Sequence, residues 1–185
     1  MPTYPFTLST WSDNSGSGGA RTWGNPGNAQ VLDGVYTGTT GSFGTSHYLL
    51  GTGPSVLGSS LAGNELLSSL TINVQRMCPV GGISDSQLCL VVGGAVQTSI
   101  NKANTGVFWP EVVTLQSYNF SSSDLASLGI TKANLTSNFG VALAVAFSGN
   151  DTANVDQISG SFTTYYIYDI PHPIRSMPGA GITHL

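Results

Sequence analysis

The stretch Phe139-Gly-Val-Ala-Leu-Ala-Val-Ala-Phe147 decides the fold. Phe139, Val141, Leu143, Val145 and Phe147 alternate with Gly140, Ala142, Ala144 and Ala146. A period of two puts the bulky set on one face of a strand and the small set on the other. Alanine favours helices, but strict alternation and the β-branched valines decide for a strand. With bulk on one side and methyl groups on the other, both faces are expected to be covered, one at close range.

The same period recurs elsewhere in the chain. Leu70, Ile72 and Val74 alternate with Thr71, Asn73 and Gln75, which predicts a strand over 70–76 with one buried and one wet face. Leu88, Leu90 and Val92 predict another over 87–92, ended by Gly93-Gly94, with a return strand over 95–100. Residues 107–118 are less regular, and Pro110 confines them to an edge or a bulge. A last strand is expected over 162–168. Residues 38–63 read as Gly/Ser/Thr-rich loop with a short apolar run at Tyr48-Leu-Leu. Helical signals are confined to Ser123-Asp124 capping 125–128 before Gly129, and to one turn over 131–135. Many strands, long loops and almost no helix predict an all-β chain folded as an antiparallel sandwich.

Both ends read differently from the middle. Residues 1–20 combine an apolar start (Tyr4, Phe6, Leu8) with a flexible Ser15-Gly-Ser-Gly-Gly stretch, and are expected to form an N-terminal arm and tether. Residues 169–185 carry Pro171, Pro173 and Pro178, which deny a sheet ladder its donors, so an extended C-terminal arm is expected there. Ile170, Ile174, Met177, Ile182 and Leu185 make that arm apolar, suited to lying on a surface of its own or of a neighbour. The sandwich itself is assigned to 21–168.

The 185 residues carry only 5 Lys+Arg and 9 Asp+Glu, or 8% charged, where about 25% is ordinary. Hydrophobic content of 40% argues against disorder. The surface must then be covered by the 24 Ser, 19 Thr and 12 Asn and by glycine backbone, which suits packed interfaces. A net charge of −4 with scattered cations leaves no basic patch for nucleic acid. No apolar run approaches the roughly 20 residues of a membrane span, and no signal peptide is read at the N-terminus.

The sequence offers few candidates for chemistry. His47, His172 and His184 have no metal-site spacing, and the nine acids form no recognisable pair. Asp33 reads as a turn anchor and Asp156 as a loop-to-strand residue. The oxygens of Asn150, Asp151, Asn154 and Asp156 lack the spacing of a calcium loop, so 150–156 reads as a β-turn. Cys78 and Cys89 could face each other across a hairpin; a disulfide is one reading, and two buried thiols is the one a reducing compartment favours. No catalytic residue, metal or cofactor is expected. Aromatics including Trp23, Tyr36 and Tyr48 have two readings, a sugar-binding groove or plain core and interface packing, and packing is preferred.

The order of elements resembles a β-sandwich module of tailed-bacteriophage virion structural proteins. The resemblance is carried by Trp23-x-Asn-Pro-x-Asn-Ala, Asp33-Gly-x-Tyr36, Leu70-Thr-Ile-x-Val-x-Arg76 and Leu88-x-Leu-Val-x-Gly93. Trp109, Asn138-Phe-Gly-Val-Ala-Leu143, Ala153-x-Val-Asp-x-Ile158 and Tyr165-Tyr166 continue it. At the end it departs, stretched by Ser159-Gly-Ser-Phe-Thr-Thr164. It implies a jelly-roll or galactose-binding-like sandwich without catalytic residues, used as a virion building block after synthesis in the host cytoplasm. The expected role is a capsid decoration (cement) subunit, a homo-oligomer such as a trimer, clamped to itself and to major capsid or tail proteins. Its contacts would come from Tyr4, Phe6, Leu8, Ile170, Pro171, Pro173, Ile174, Met177 and Leu185. A tail or baseplate adaptor and a surface-glycan-binding module are the alternatives.

Overall fold

The decisive stretch forms a strand of the expected kind. In the computed structural model, which describes residues 1–167, it is β9 (Gly140–Phe147), and seven of its eight residues are buried. On one edge it pairs with β4 (Tyr48–Pro54) and the short β3 (Gly44–Thr45), on the other with β6 (Ile83–Val92). The hairpin partner β7 (Ala95–Gln97) completes this first sheet beyond β6.

The second sheet is built around β10 (Asp151–Tyr166), which pairs with β5 (Glu65–Met77), and β5 pairs with β8 (Thr114–Phe120). The other edge of β10 is shared by β2 (Thr37–Gly41) and the start of β1 (Thr3–Asn14). All these ladders are antiparallel. From β4 to β10 the chain alternates between sheets, apart from the β6–β7 hairpin, giving an antiparallel β-sandwich of jelly-roll type.

Strand β1 corrects the expected N-terminal arm. Thr3 to Thr7 pair with Thr163 to Ser159 in the second sheet, and Leu8 to Asn14 pair with Pro54 to Tyr48 in the first. One strand therefore stitches both layers along an edge. Phe6 and Leu8 are 3% and 0% exposed. The Phe6 ring stacks on Phe162 at a centroid distance of 4.4 Å, and Phe162 meets Phe139 at 5.8 Å. These apolar side chains belong to the intramolecular core, because the edge of β10 is open to them. Only Ser15–Ser17, a single 3₁₀ turn, remains of the expected tether.

The core lies between the sheets, where Ile72, Val74, Leu88, Val141, Leu143 and Ile158 are fully buried. Each such side chain contributes about 1.5–3 kcal/mol of transfer free energy. On the outer side of β9 a smaller cluster joins Ala142 and Ala144 to Tyr48 and Val91, so the methyl face is covered too.

Bulges displace two strand boundaries. β10 starts at Asp151, where a turn over 150–156 is expected, because a register shift between Val155 and Gln157 breaks the period. Ala153 and Val155 point inward, then Ile158 and Phe162 do so in the opposite phase. A shift between Asp85 and Gln87 does the same to β6, which begins at Ile83. The glycine-rich 38–63 segment holds β2, β3 and β4. Helix α1 (Ser122–Ser127) is capped by Ser121 with Asp124 as the reciprocal partner, two residues earlier than expected, and Gly129 follows at φ 63°. Cys78 and Cys89 are buried free thiols; β5 and β6 belong to different sheets, so no hairpin sets the two face to face. The expected arm 169–185, with Ile170, Pro171, Pro173, Ile174, Met177 and Leu185, lies outside the described residues.

Candidate functional site

Among the described residues the large apolar side chains most exposed after Met1 lie at one end of the sandwich. Phe43 (70% exposed) sits in the turn from β2 to β3, and Val80 (74%) in the connection from β5 to β6. Phe108 (60%) and Val112 (71%) lie in the long loop before β8. The ladders bring these loops together: Gly41 pairs with Asp151, Gly44 and Ile83 both pair with Phe147, and Phe108 bridges Ser84.

The loops are anchored from beneath. Trp109 is 2% exposed; its backbone N–H donates to Ile83 O at 2.7 Å and its Nε1 donates to the Asp85 carboxylate at 2.7 Å. With Trp109 drawn inward, its neighbour Phe108 is presented to solvent. Cys78 N donates to Pro110 O at 2.8 Å and Cys78 Sγ donates to Asp151 Oδ1 at 3.3 Å, while Gly81 N donates to that sulfur. Ser148 donates to Gly82 O through both its N–H and its hydroxyl. An apolar end fastened in this way loses little conformational entropy when it is covered.

A second surface is the outer face of the β10 sheet. Ser117, Asn73, Ser159 and Thr7 are successive cross-strand partners over β8, β5, β10 and β1, and Ser117 Oγ donates to Asn73 Oδ1 at 2.7 Å. A groove of about 370 Å³ runs there among Thr7, Ser55, Asn73, Gln157, Ser159 and Ser161. Amides and hydroxyls line it together with Pro5, Phe6 and Gly160, with no ionised side chain among them. Alternation of Thr71, Asn73 and Gln75 in the sequence marks its wet side; the contribution of β10 is hidden by its bulge.

At the opposite end from Phe43, Glu65 is 1% exposed and accepts from Tyr4 Oη (2.8 Å), Thr164 Oγ1 (2.6 Å) and Ala62 N (2.8 Å). The Thr164 and Tyr4 hydroxyls hold its carboxyl below the usual glutamate range, and that hydrogen bond pushes Tyr4 up to about 12. Tyr4 is thus a ligand of Glu65 within the chain.

Of the two readings of the aromatics, sugar groove or packing, Trp23 and Tyr48 take packing, at 3% and 2% exposed. Trp23 Nε1 donates to His47 O at 2.9 Å and its N–H to Asp13 Oδ1 at 2.8 Å. Tyr48 Oη donates to Gln87 Oε1 over the alanine face of β9. Tyr36, half-buried, offers its carbonyl to Asn28 Nδ2 at 3.0 Å and does not share a surface with the other two. Asp156 accepts from Asp33 N and Gly34 N and so pins that turn. His47 Nδ1 pairs with Asp13 Oδ2 at 2.7 Å. Among the described residues no three His, Cys, Asp or Glu side chains gather as a metal site would need. None of their helices is long and apolar enough to cross a membrane.

No family model matches the chain, and no curated protein matches it. Among solved structures it is similar to the CBM22-1 xylan-binding domain from Paenibacillus barcinonensis Xyn10C, with 11% identity and a TM-score of 0.39 over 86% of this chain and 92% of that one.

Proposed function

We propose that this chain is a non-enzymatic structural subunit of a tailed-phage virion, a homo-oligomer acting as a capsid decoration protein. One observation carries the reading: Phe43, Val80, Phe108 and Val112 project from a single, backbone-anchored end. Isolated exposed apolar residues need no explanation, whereas a cluster marks an interface. The low charge agrees, because core positions of interfaces are depleted in charged residues. The resemblance of its order of sequence elements to phage sandwich modules supports the virion context. Such a subunit works by multiplicity, since many weak contacts in a closed lattice add to a durable shell. The test is to count copies of the chain in purified particles. Hundreds of copies support decoration, a few to dozens place it in the tail or baseplate, and absence from particles refutes the virion role.

A second reading is favoured by the groove of Asn73, Gln157, Ser159 and Ser161. Uncharged donors and acceptors on a rigid sheet suit the hydroxyls of a surface glycan. Binding on a glycan array, lost in Asn73→Ala or Gln157→Ala with the circular dichroism unchanged, supports it. A blank array removes it.

A further inference from the structure

Beside the place where β10 leaves the sandwich there is an apolar groove that the functions above do not use. It encloses about 320 Å³ among Leu66, Leu67, Ile130, Thr131, Lys132 and Ala133. Ile130, 5% exposed, belongs to the core cluster, and Leu66, 37% exposed, stands at the surface. The ladder between β5 and β8 runs from Arg76↔Thr114 to Leu70↔Phe120, so Leu66 and Leu67 lie beyond the end of β8. There β5 pairs with β10, as Leu66↔Tyr165 and Leu67↔Thr164. The Lys132 ammonium donates to the carbonyls of Ala62 (2.7 Å) and Gly63 (2.6 Å), so its charge is already engaged by backbone. What remains suits an aliphatic segment.

Such a segment starts next to this groove. Ile167 N donates to Asn64 O at 2.9 Å, which fixes the last described residue two positions from Leu66. The 168–185 sequence that follows contains Ile170, Ile174, Met177, Ile182 and Leu185 with one Asp and one Arg. Ile170, His172 and Met177 each precede a proline, which biases them to extended backbone. To enter its own groove the chain would have to reverse within a few residues of Ile167. A proline-held segment of this sequence, which favours an extended backbone of about 3.1 Å per residue, suits a neighbour's groove better than a turn back into its own.

We infer that the groove seats segment 170–177 of a second copy of the chain, so that tails are exchanged between neighbours. Ile170 and Ile174 supply the side chains that fill it, and the prolines lower the entropy lost on docking. The inference rests on the homo-oligomeric reading above and adds a second contact to the one at the Phe43 end.

The test uses the full chain with one introduced thiol at a time. Cys78 and Cys89 are both 0% exposed, so an added cysteine is the accessible one. Ala133→Cys protein is mixed with Ile174→Cys protein, dissociated by dilution, reassembled and treated with a short bismaleimide. A dimer formed only in the mixture is expected, and the double variant should give ladders of linked chains. A double variant that links only within one chain, with no product in the mixture, overturns the exchange. Leu66→Asp, at an exposed position, is the second variant. It should keep the wild-type circular dichroism and weaken association at least about tenfold. Association unchanged in Leu66→Asp, without cross-linking in the mixture, rejects this contact while leaving the oligomeric subunit intact. A wild-type chain that stays monomeric at every concentration rejects both.

Discussion

Arg76 on β5 and Asp85 on β6 form an ion pair inside the core, so one charge from each sheet is neutralised by the other. Their side chains are 2% and 0% exposed. Asp85 also accepts from Tyr118 Oη at 2.7 Å, Trp109 Nε1 at 2.7 Å and Asn104 N at 2.9 Å, which satisfies the carboxylate fully. The guanidinium lies 4.9 Å over the Trp109 ring. Burial, and then the Asp85 charge, push the Tyr118 phenol up.

Removing one partner leaves the other as an uncompensated buried charge. Asp85→Ala is expected to lose about 3–5 kcal/mol in urea unfolding. Replacing the pair together, Arg76→Met with Asp85→Leu, should lose clearly less than the single change. Equal losses in the two variants would show that the pair acts only through packing volume.

The Tyr4–Glu65 contact sets a stability window in pH. The folded Glu65 carboxyl lies below the ordinary glutamate value of 4.5, so the unfolded chain takes up the proton more readily and stability falls as pH drops below about 4.5. Tyr4 is raised from 10.0 to about 12, so its contribution is complete below pH 10 and disappears as pH rises towards 12. Urea midpoints across both limbs should flatten on the acid side in Glu65→Gln and on the alkaline side in Tyr4→Phe. Unaltered slopes in both variants contradict this assignment.

Strand β1 belongs to the fold. Phe6→Ala is expected to cost about 3–5 kcal/mol. At Gly160 an added Cβ would stand 2.5 Å from Phe6 Cζ and 2.8 Å from the Thr71 carbonyl, so Gly160→Ala should destabilise by about 1–3 kcal/mol. A chain lacking residues 1–14 should show no cooperative thermal transition. A well-folded truncated protein would return β1 to the role of a dispensable arm.

Burial pushes the Cys89 thiol up to about 11, which removes the reactive thiolate at neutral pH. Ellman's reagent at pH 8 should therefore miss Cys89 in the native protein; Cys78 is shielded by its full burial, and both should react in guanidinium chloride. A fast native Cys89 would mean that the first sheet opens around Ala142 and Cys89.

Period-two strands were legible because their phase is unbroken: β9 and the centre of β5 follow directly from 139–147 and 70–76. Where a bulge changes the phase, as at Asp156 and between Asp85 and Gln87, the alternation fails and the strand ends were misplaced. Residues 1–14 hide their strand for another reason. Tyr4, Phe6 and Leu8 do alternate, but a proline at position 5 and a glycine-rich successor imitate a free arm, and only the ladder to β10 reveals its partner. The apolar end was illegible for a similar reason. Phe43, Val80, Phe108 and Val112 are far apart in sequence and meet only through ladder register.

Sedimentation equilibrium of the wild-type chain beside Phe43→Ser/Phe108→Ser tests the assembly reading most directly, since both side chains are exposed and their loss should spare the fold. The wild type should run at an integer multiple of the chain mass over a wide concentration range, and the double variant should dissociate at least about tenfold more readily. A wild-type monomer at all concentrations, or a variant that associates as tightly as the wild type, contradicts the account.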